Sequence, residues 1–224
     1  MTERVATTLG LYPLPDWAKD ELSDLKGHQK ADLVDGSEGP EVRAAYERVR
    51  EDLTDDQREA DLDRIVEGQG RWDDWLAHPL AVHDSVETGG IVRYYDNNNF
   101  YRDPRVVDDL TVDGDVAAEL DAATGLLEDD ESLQAVLPGP YTLAELATDE
   151  HYGDEAEFLA AIAEFLAGEV EALPPHETLF LLDPSLVTDS PEGEANERVS
   201  DAVDAVASAT DADVVLQSYW GAHE

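Results

Sequence analysis

The sequence predicts an α/β fold with a parallel sheet. Three observations carry the prediction. Short apolar runs recur along the chain, and amphipathic segments with helical spacing fall between most of them. The run Leu179, Phe180, Leu181, Leu182 is apolar throughout, as a strand covered on both faces is. Strands that alternate with helices in this way are joined by right-handed crossovers in one sheet.

Taken in order, the first expected strand is residues 6–11, and Val42, Ala45, Tyr46, Val49 and Leu53 then keep one helical face. The second strand is residues 64–67 and the third 133–137. Phe158, Ile162, Phe165, Leu166, Val170 and Leu173 mark the next helix, for which Asp154, three residues before Glu157, is the N-cap. The fourth strand is 178–182. A helix carrying Val199, Val203 and Val206 leads to the fifth strand, 213–219. The chain reads as one domain, 1–224, interrupted by an insert at 71–109 after the second strand. That insert is rich in aromatic and amide side chains and predicts a helix followed by a β-hairpin. Ile91 to Tyr95 and Phe100 to Arg102 flank its Asp-Asn-Asn-Asn turn, whose residues tolerate positive φ.

The segment from Gln134 to Ala144, QAVLPGPYTLA, is the most informative stretch. A buried strand runs into a turn stiffened by Pro138 and Pro140, with Gly139 leaving room for close approach. Thr142 and Glu145 have capping-box spacing, so a helix N-terminus with free N–H groups is expected there. This is the architecture of a strand end that holds a ligand.

Lys and Arg number 14 and Asp and Glu 54, a formal charge of −40 on 224 residues, spread along the chain without an acidic tail. Nucleic acid and anionic membranes are therefore excluded as partners, and the pattern is that of a halophile-type solvated surface. Apolar residues make up 42% with clear periodicity, which excludes disorder. Cysteine is absent, which removes disulfides, thiolate nucleophiles and cysteine-based zinc sites. No secretory or membrane-spanning pattern is present, so a cytoplasmic protein is expected. His78 and His83, beside Asp84 and Glu87, are the one histidine pair that invites a metal reading. Their i, i+5 spacing does not put two imidazoles on one helical face, and they are expected to be partly exposed side chains near the insert.

Read together, the strand ends TTLGLYPLPDW, RIVEGQGRWDDWL, YYDNNNFYR, AVLPGPYTLA, FLLDPSL and VVLQSYWG resemble, in that order, the cobalamin-independent methionine synthase family. The resemblance implies TIM-barrel-like βα repeats with substrates at the carboxyl ends of the strands. It also implies methyl transfer to homocysteine from a methylated folate or a corrinoid donor, with zinc holding the thiolate. Relative to a complete barrel of about 250 residues, the chain reaches about five of eight strands, and the barrel is expected to be incomplete. Over the matching positions Gly10 is followed by Leu11 and Tyr12 where the family has Gly-Ser-Phe. Glu67-Gly68-Gln69 stands for His-Gly-Glu, Leu182-Asp183 for an acidic pair, and Gln217-Ser218-Tyr219 for the zinc pair His-x-Cys.

The substrate-binding residues expected from the strand ends are Gly10, Tyr12, Gln69, Asn97, Asn98, Asn99, Pro140, Tyr141, Asp183, Gln217 and Tyr219. No metal ligand and no catalytic residue is assigned, because an amide and a phenol cannot replace imidazole and thiolate in thiol activation. The expected role is a methionine synthase-like part that binds a folate-type pterin or homocysteine, with zinc chemistry supplied by a zinc-bearing homologous subunit. The alternatives are an autonomous methyltransferase and an inactive barrel remnant.

Overall fold

The computed structural model describes residues 4–23, 39–72, 74–95, 99–219 and 221. Strands β1 (Ile65–Val66), β4 (Leu133–Pro138), β6 (Thr178–Leu182) and β7 (Asp213–Gln217) form a four-stranded parallel sheet in the order β1-β4-β6-β7. Register runs from Gln134 opposite Thr178 to Pro138 opposite Leu182, and from Thr178 opposite Asp213 to Leu182 opposite Gln217. Sheet order therefore follows chain order, as in the arc of a barrel.

The two-residue period of the strands sorts their side chains. Leu133, Ala135, Leu137, Leu179 and Leu181 face one way and pack against helices α4 (Asp115–Thr124), α6 (Glu155–Ala172) and α8 (Glu194–Ala207). Val66, Val136 and Leu182 face the other way, into a cluster with Leu76, Tyr94 and Tyr101 from the insert. Leu137, Leu179 and Leu181 are fully buried, each worth about 1.5–3 kcal/mol of transfer free energy. Helix α6 starts where the sequence places it: the Asp154 side chain accepts from the Ala156 and Glu157 N–H groups. Helix α2 (Pro40–Glu59) buries the expected face, Ala45, Tyr46, Val49 and Leu53, against the short helix α1 (Asp16–Glu21) and its flanks.

The expected first strand is not a strand. Residues 6–11 run beside β1, but among the described residues the backbone bonds joining this segment and Tyr12 to the flanks of β1 are Asp63 N–H to Ala6 O and Tyr12 N–H to Gly68 O. The reason lies in Gln57 of α2. Its side-chain amide donates to Val66 O (2.9 Å) and accepts from Val66 N–H (2.9 Å), occupying the β1 edge that a ladder would need. Other side chains hold the segment instead. The Asp63 carboxylate accepts from Ala6 N–H, the Gln134 amide bonds Thr7 and Thr8, and Gln69 Oε1 accepts from Leu11 N–H.

The insert forms the expected hairpin, with β2 (Val86–Arg93) and β3 (Phe100–Val106) antiparallel, and β5 (Thr148–Asp149) adds to β3 as a second, three-stranded sheet. The helix before the hairpin is a single turn, α3 (His78–Ala81). The expected capping box is also corrected. Helix α5 (Pro140–Leu146) has Gly139 at its N-cap and Thr142 already inside it. No helix among the described residues is long and apolar enough to cross a membrane.

Candidate ligand site at the strand ends

Parallel strands deliver their carboxyl ends to one edge of the sheet, and four of the expected site segments meet there. Asp183 follows β6 and is fully buried. Its carboxylate accepts from Thr142 N–H (2.8 Å), Thr142 Oγ1–H (2.5 Å) and Tyr141 N–H (3.3 Å). The N–H groups that the sequence leaves free for a ligand at the start of α5 are thus taken by Asp183. Gly139 is required at this point, because a Cβ there would overlap the Asp183 carboxylate. Burial pushes the Asp183 carboxyl up to about 6 against the opposing pull of its Thr142 and Tyr141 donors. Thr142 Oγ1 in turn accepts from Ser185 N–H (2.9 Å), so β6, α5 and the short helix α7 (Ser185–Thr188) are locked together.

Pro140 is buried at the first position of α5. The half-buried Tyr141 sends its hydroxyl away from the carboxylate, donating to Asp189 O (2.6 Å). At the end of β7, Gln217 O accepts from Asp183 N–H (2.8 Å), and Tyr219 sits in a left-handed conformation (φ 65°) with its ring edge-on to Trp75 at 5.1 Å. On the other flank, Gly10 (φ 73°) and Leu11 (φ 60°) turn the chain over Gln69 (φ 58°). The Gln69 amide is spent on Leu11 N–H (3.0 Å) and Val136 O (3.2 Å), and the Tyr12 hydroxyl pairs with Thr8 Oγ1 (3.1 Å). Asn99 is exposed and closes the hairpin by accepting from Tyr94 N–H at its carbonyl (3.0 Å). Asn97 and Asn98 lie outside the described residues.

Several residues of this region were not legible as site residues. Tyr95 crosses from the hairpin to the β6 end, its hydroxyl 3.2 Å from Ser185 Oγ and its ring 5.7 Å from Tyr94. The Tyr94 hydroxyl donates to Asp74, which also accepts from Leu76 and Ala77 N–H groups, so the insert is pinned at its base. Burial raises the Tyr94, Tyr95, Tyr141 and Tyr219 phenols, which stay protonated at neutral pH and serve as donors rather than nucleophiles. Below Gln69, Glu67 is buried against Arg50 (3.0 Å) and caps Gln69 N–H (2.6 Å). The sequence signal for this pair was slight: Glu67 directly follows the apolar Ile65-Val66, whereas Arg50 sits in the charged run Glu47 to Asp52.

The strand-end region thus offers stacking rings, phenols, hydroxyls and amides around one already engaged carboxylate. The zinc that the resembling family implies does not fit. At the matching positions Gln217 offers an amide, the Ser218 hydroxyl donates to Gly221 O (2.6 Å), and the Tyr219 phenol is held protonated by burial.

An arc of parallel strands in chain order, with helices outside and functional loops at the carboxyl ends, defines a barrel-type α/β protein. Residues 5–215 match the family described as cobalamin-independent synthase, catalytic domain, and the chain belongs to that family. A methionine synthase of Sulfurisphaera tokodaii is 22% identical over 167 residues, covering 75% of this chain and 47% of that protein. Among solved structures, a B12-independent methionine synthase from a Shewanella species, in complex with selenomethionine, superposes with a TM-score of 0.68 at 16% identity. It covers 80% of this chain and 52% of that one. A Listeria monocytogenes protein named as a vitamin-B12-independent methionine synthase gives 0.61 at 20% identity, covering 96% of this chain and 65% of that one. A methyltransferase from Methanosarcina mazei gives 0.53 at 13% identity, over 85% and 61%. The chain spans about half the length of the curated relative it matches.

Proposed function

We propose that this chain is the ligand-holding part of a methionine synthase-like system of methyl transfer to homocysteine, and that it does not activate the thiol itself. The observation that carries the proposal is the segment Gln217-Ser218-Tyr219 at the end of β7. It supplies an amide, an internally bonded hydroxyl and a protonated phenol where the family's zinc chemistry needs soft, ionised donors. The rings of Tyr12, Trp75, Tyr95 and Tyr219 beside the strand ends suit a flat pterin, and the phenol hydroxyls and the Gln217 amide suit its ring nitrogens and oxygens. Asp183 acts as a positioning residue, since its carboxylate holds the start of α5.

In this proposal the ligand is folate-like or homocysteine itself, and the thiolate is generated on zinc held by a homologous chain. One feature supports a partner that extends the sheet: Val215 (37%) and Leu216 (46%) are exposed on β7, the last strand in the sheet order. The test is a methionine-formation assay on the purified chain with methylated folate, homocysteine and added zinc. No turnover is expected from the chain alone, and turnover is expected when a zinc-bearing homologue is added. Multiple turnovers by the chain alone would overturn the proposal.

A further inference from the structure

A second polar site lies away from the strand ends, in the angle between the insert and α4, and it does not depend on the function proposed above. Three ionisable side chains converge there from separate parts of the sequence: His78 at the start of α3, and Asp115 and Glu119 one turn apart on α4. They are 2%, 3% and 1% exposed. One ligand-type atom from each lies within 4.8 Å of the others, and His78 Nε2 is 3.5 Å from Asp115 Oδ2.

Four atoms of this trio are buried without a hydrogen-bond partner: His78 Nε2, both Asp115 carboxylate oxygens and Glu119 Oε1. Buried polar atoms are nearly always paired, and an unpaired carboxylate in a dry interior is among the most costly groups a protein can carry. A proton between His78 Nε2 and Asp115 Oδ2 engages that pair and still leaves Asp115 Oδ1 and Glu119 Oε1 without a hydrogen-bond partner. The remaining contacts fix the side chains from behind. The Trp72 indole N–H donates to Glu119 Oε2 (3.1 Å), and the Trp72 ring stacks on the His78 imidazole at 4.9 Å and 14°. Metal ligands are oriented by outer groups in the same manner. A cleft of about 200 Å³ between α3 and the hairpin has His78 on its wall.

We propose that His78, Asp115 and Glu119 form a binding site for one divalent first-row transition ion of the zinc class. One imidazole and two carboxylates suit such an ion, and the imidazole disfavours magnesium and calcium, which prefer all-oxygen shells. The 3.5 Å between His78 and Asp115 is close to the spacing of two ligands that each sit about 2 Å from a common ion. The ion's two positive charges would add to those of the buried Arg71 and Arg50, which already act on Glu119, in offsetting the two carboxylates. The sequence pairs His78 with His83, but the structure separates their roles. His83 Nδ1 accepts from Ser85 N–H, and its Nε2 faces the Thr111 backbone, 2.6 Å from the carbonyl oxygen and 3.3 Å from the N–H nitrogen. Both histidines are buried, contrary to the expectation of partial exposure.

The exposed trio Asp108, Asp109 and His151 is the obvious place for adventitious binding on so acidic a surface, and it is removed first by His151→Gln. In that background the full chain, stripped with chelator in molar KCl, is titrated with Co(II). The expected result is visible d–d absorption saturating at one equivalent, competed away by zinc, with at least tenfold weaker binding in His78→Gln and in Asp115→Asn. Absence of a saturable band, or equal affinity in both variants, would overturn the proposal. Should those variants fail to fold, zinc-edge X-ray absorption of the zinc-loaded His151→Gln protein decides. A low-coordinate shell containing one imidazole is expected, and an all-oxygen shell of hydrated ion contradicts the assignment.

Discussion

At the residue scale, Asp183 is the clearest link between burial and chemistry. Its carboxyl is raised to about 6 in the folded protein, above its ordinary value of 3.8, mainly because burial penalises the charged form. A raised carboxyl binds its proton more tightly when folded, so the contribution of Asp183 to stability is fully present below about pH 4 and is lost as pH rises through the folded value. Comparing the parent with Asp183→Asn by denaturant unfolding at pH 4 and pH 6 isolates this effect. The parent should lose about 2 kcal/mol more than the variant over that interval, and parallel pH profiles would show that Asp183 is ionised throughout. The position was legible as a site residue from the Leu182-Asp183-Pro184 sequence. Its role in holding α5 was not, because no local pattern reveals which carboxylate answers the N–H groups of a helix forty residues earlier.

At the scale of elements, the least expected feature is the replacement of a strand ladder by side-chain amides. Gln57 is 1% exposed and satisfies both the N–H and the C=O of Val66, and it also donates to Leu53 O. Substitution of Gln57 by Leu keeps the volume and orphans two buried backbone groups, which should cost on the order of 2–4 kcal/mol. Hydrogen exchange should report faster exchange at the Val66 amide and at Leu11, while β4 and β6 stay protected. Unchanged protection at Val66 would mean that residues 6–11 can pair directly with β1. Strands β4 and β6 were legible because their apolar runs are long enough to define burial, β7 because its apolar run reads as a strand even though Val215 and Leu216 stay exposed, and α6 because its Asp154 cap and apolar stripe agree. Residues 6–11 carry the same kind of apolar pattern, but pattern reports burial and not the partner of the backbone. Helix α4 went unread for a related reason: its buried face includes Asp115 and Glu119, which look like solvated charges in sequence.

At the scale of the whole molecule, the formal charge of −40 sets the conditions under which every other property is seen. Self-repulsion opposes compaction at low ionic strength, and at about 1 M salt the screening length falls to about 3 Å. The thermal midpoint should therefore rise between 0.1 M and 2 M KCl, and NaCl should act equally if the effect is screening; a midpoint that falls with salt would contradict a surface tuned for it. The same charge repels polyanions such as nucleic acid and anionic lipid. The fold places a stacking and hydrogen-bonding region at the strand ends, and the residues there lack the donors of a thiol-activating zinc site. Calorimetric titration of the full chain with polyglutamyl methyltetrahydrofolate, in molar KCl without zinc and after a cooperative thermal transition is confirmed in that buffer, tests this directly. Saturable binding near one equivalent is the predicted result, and a folded protein that releases no heat of binding would contradict it.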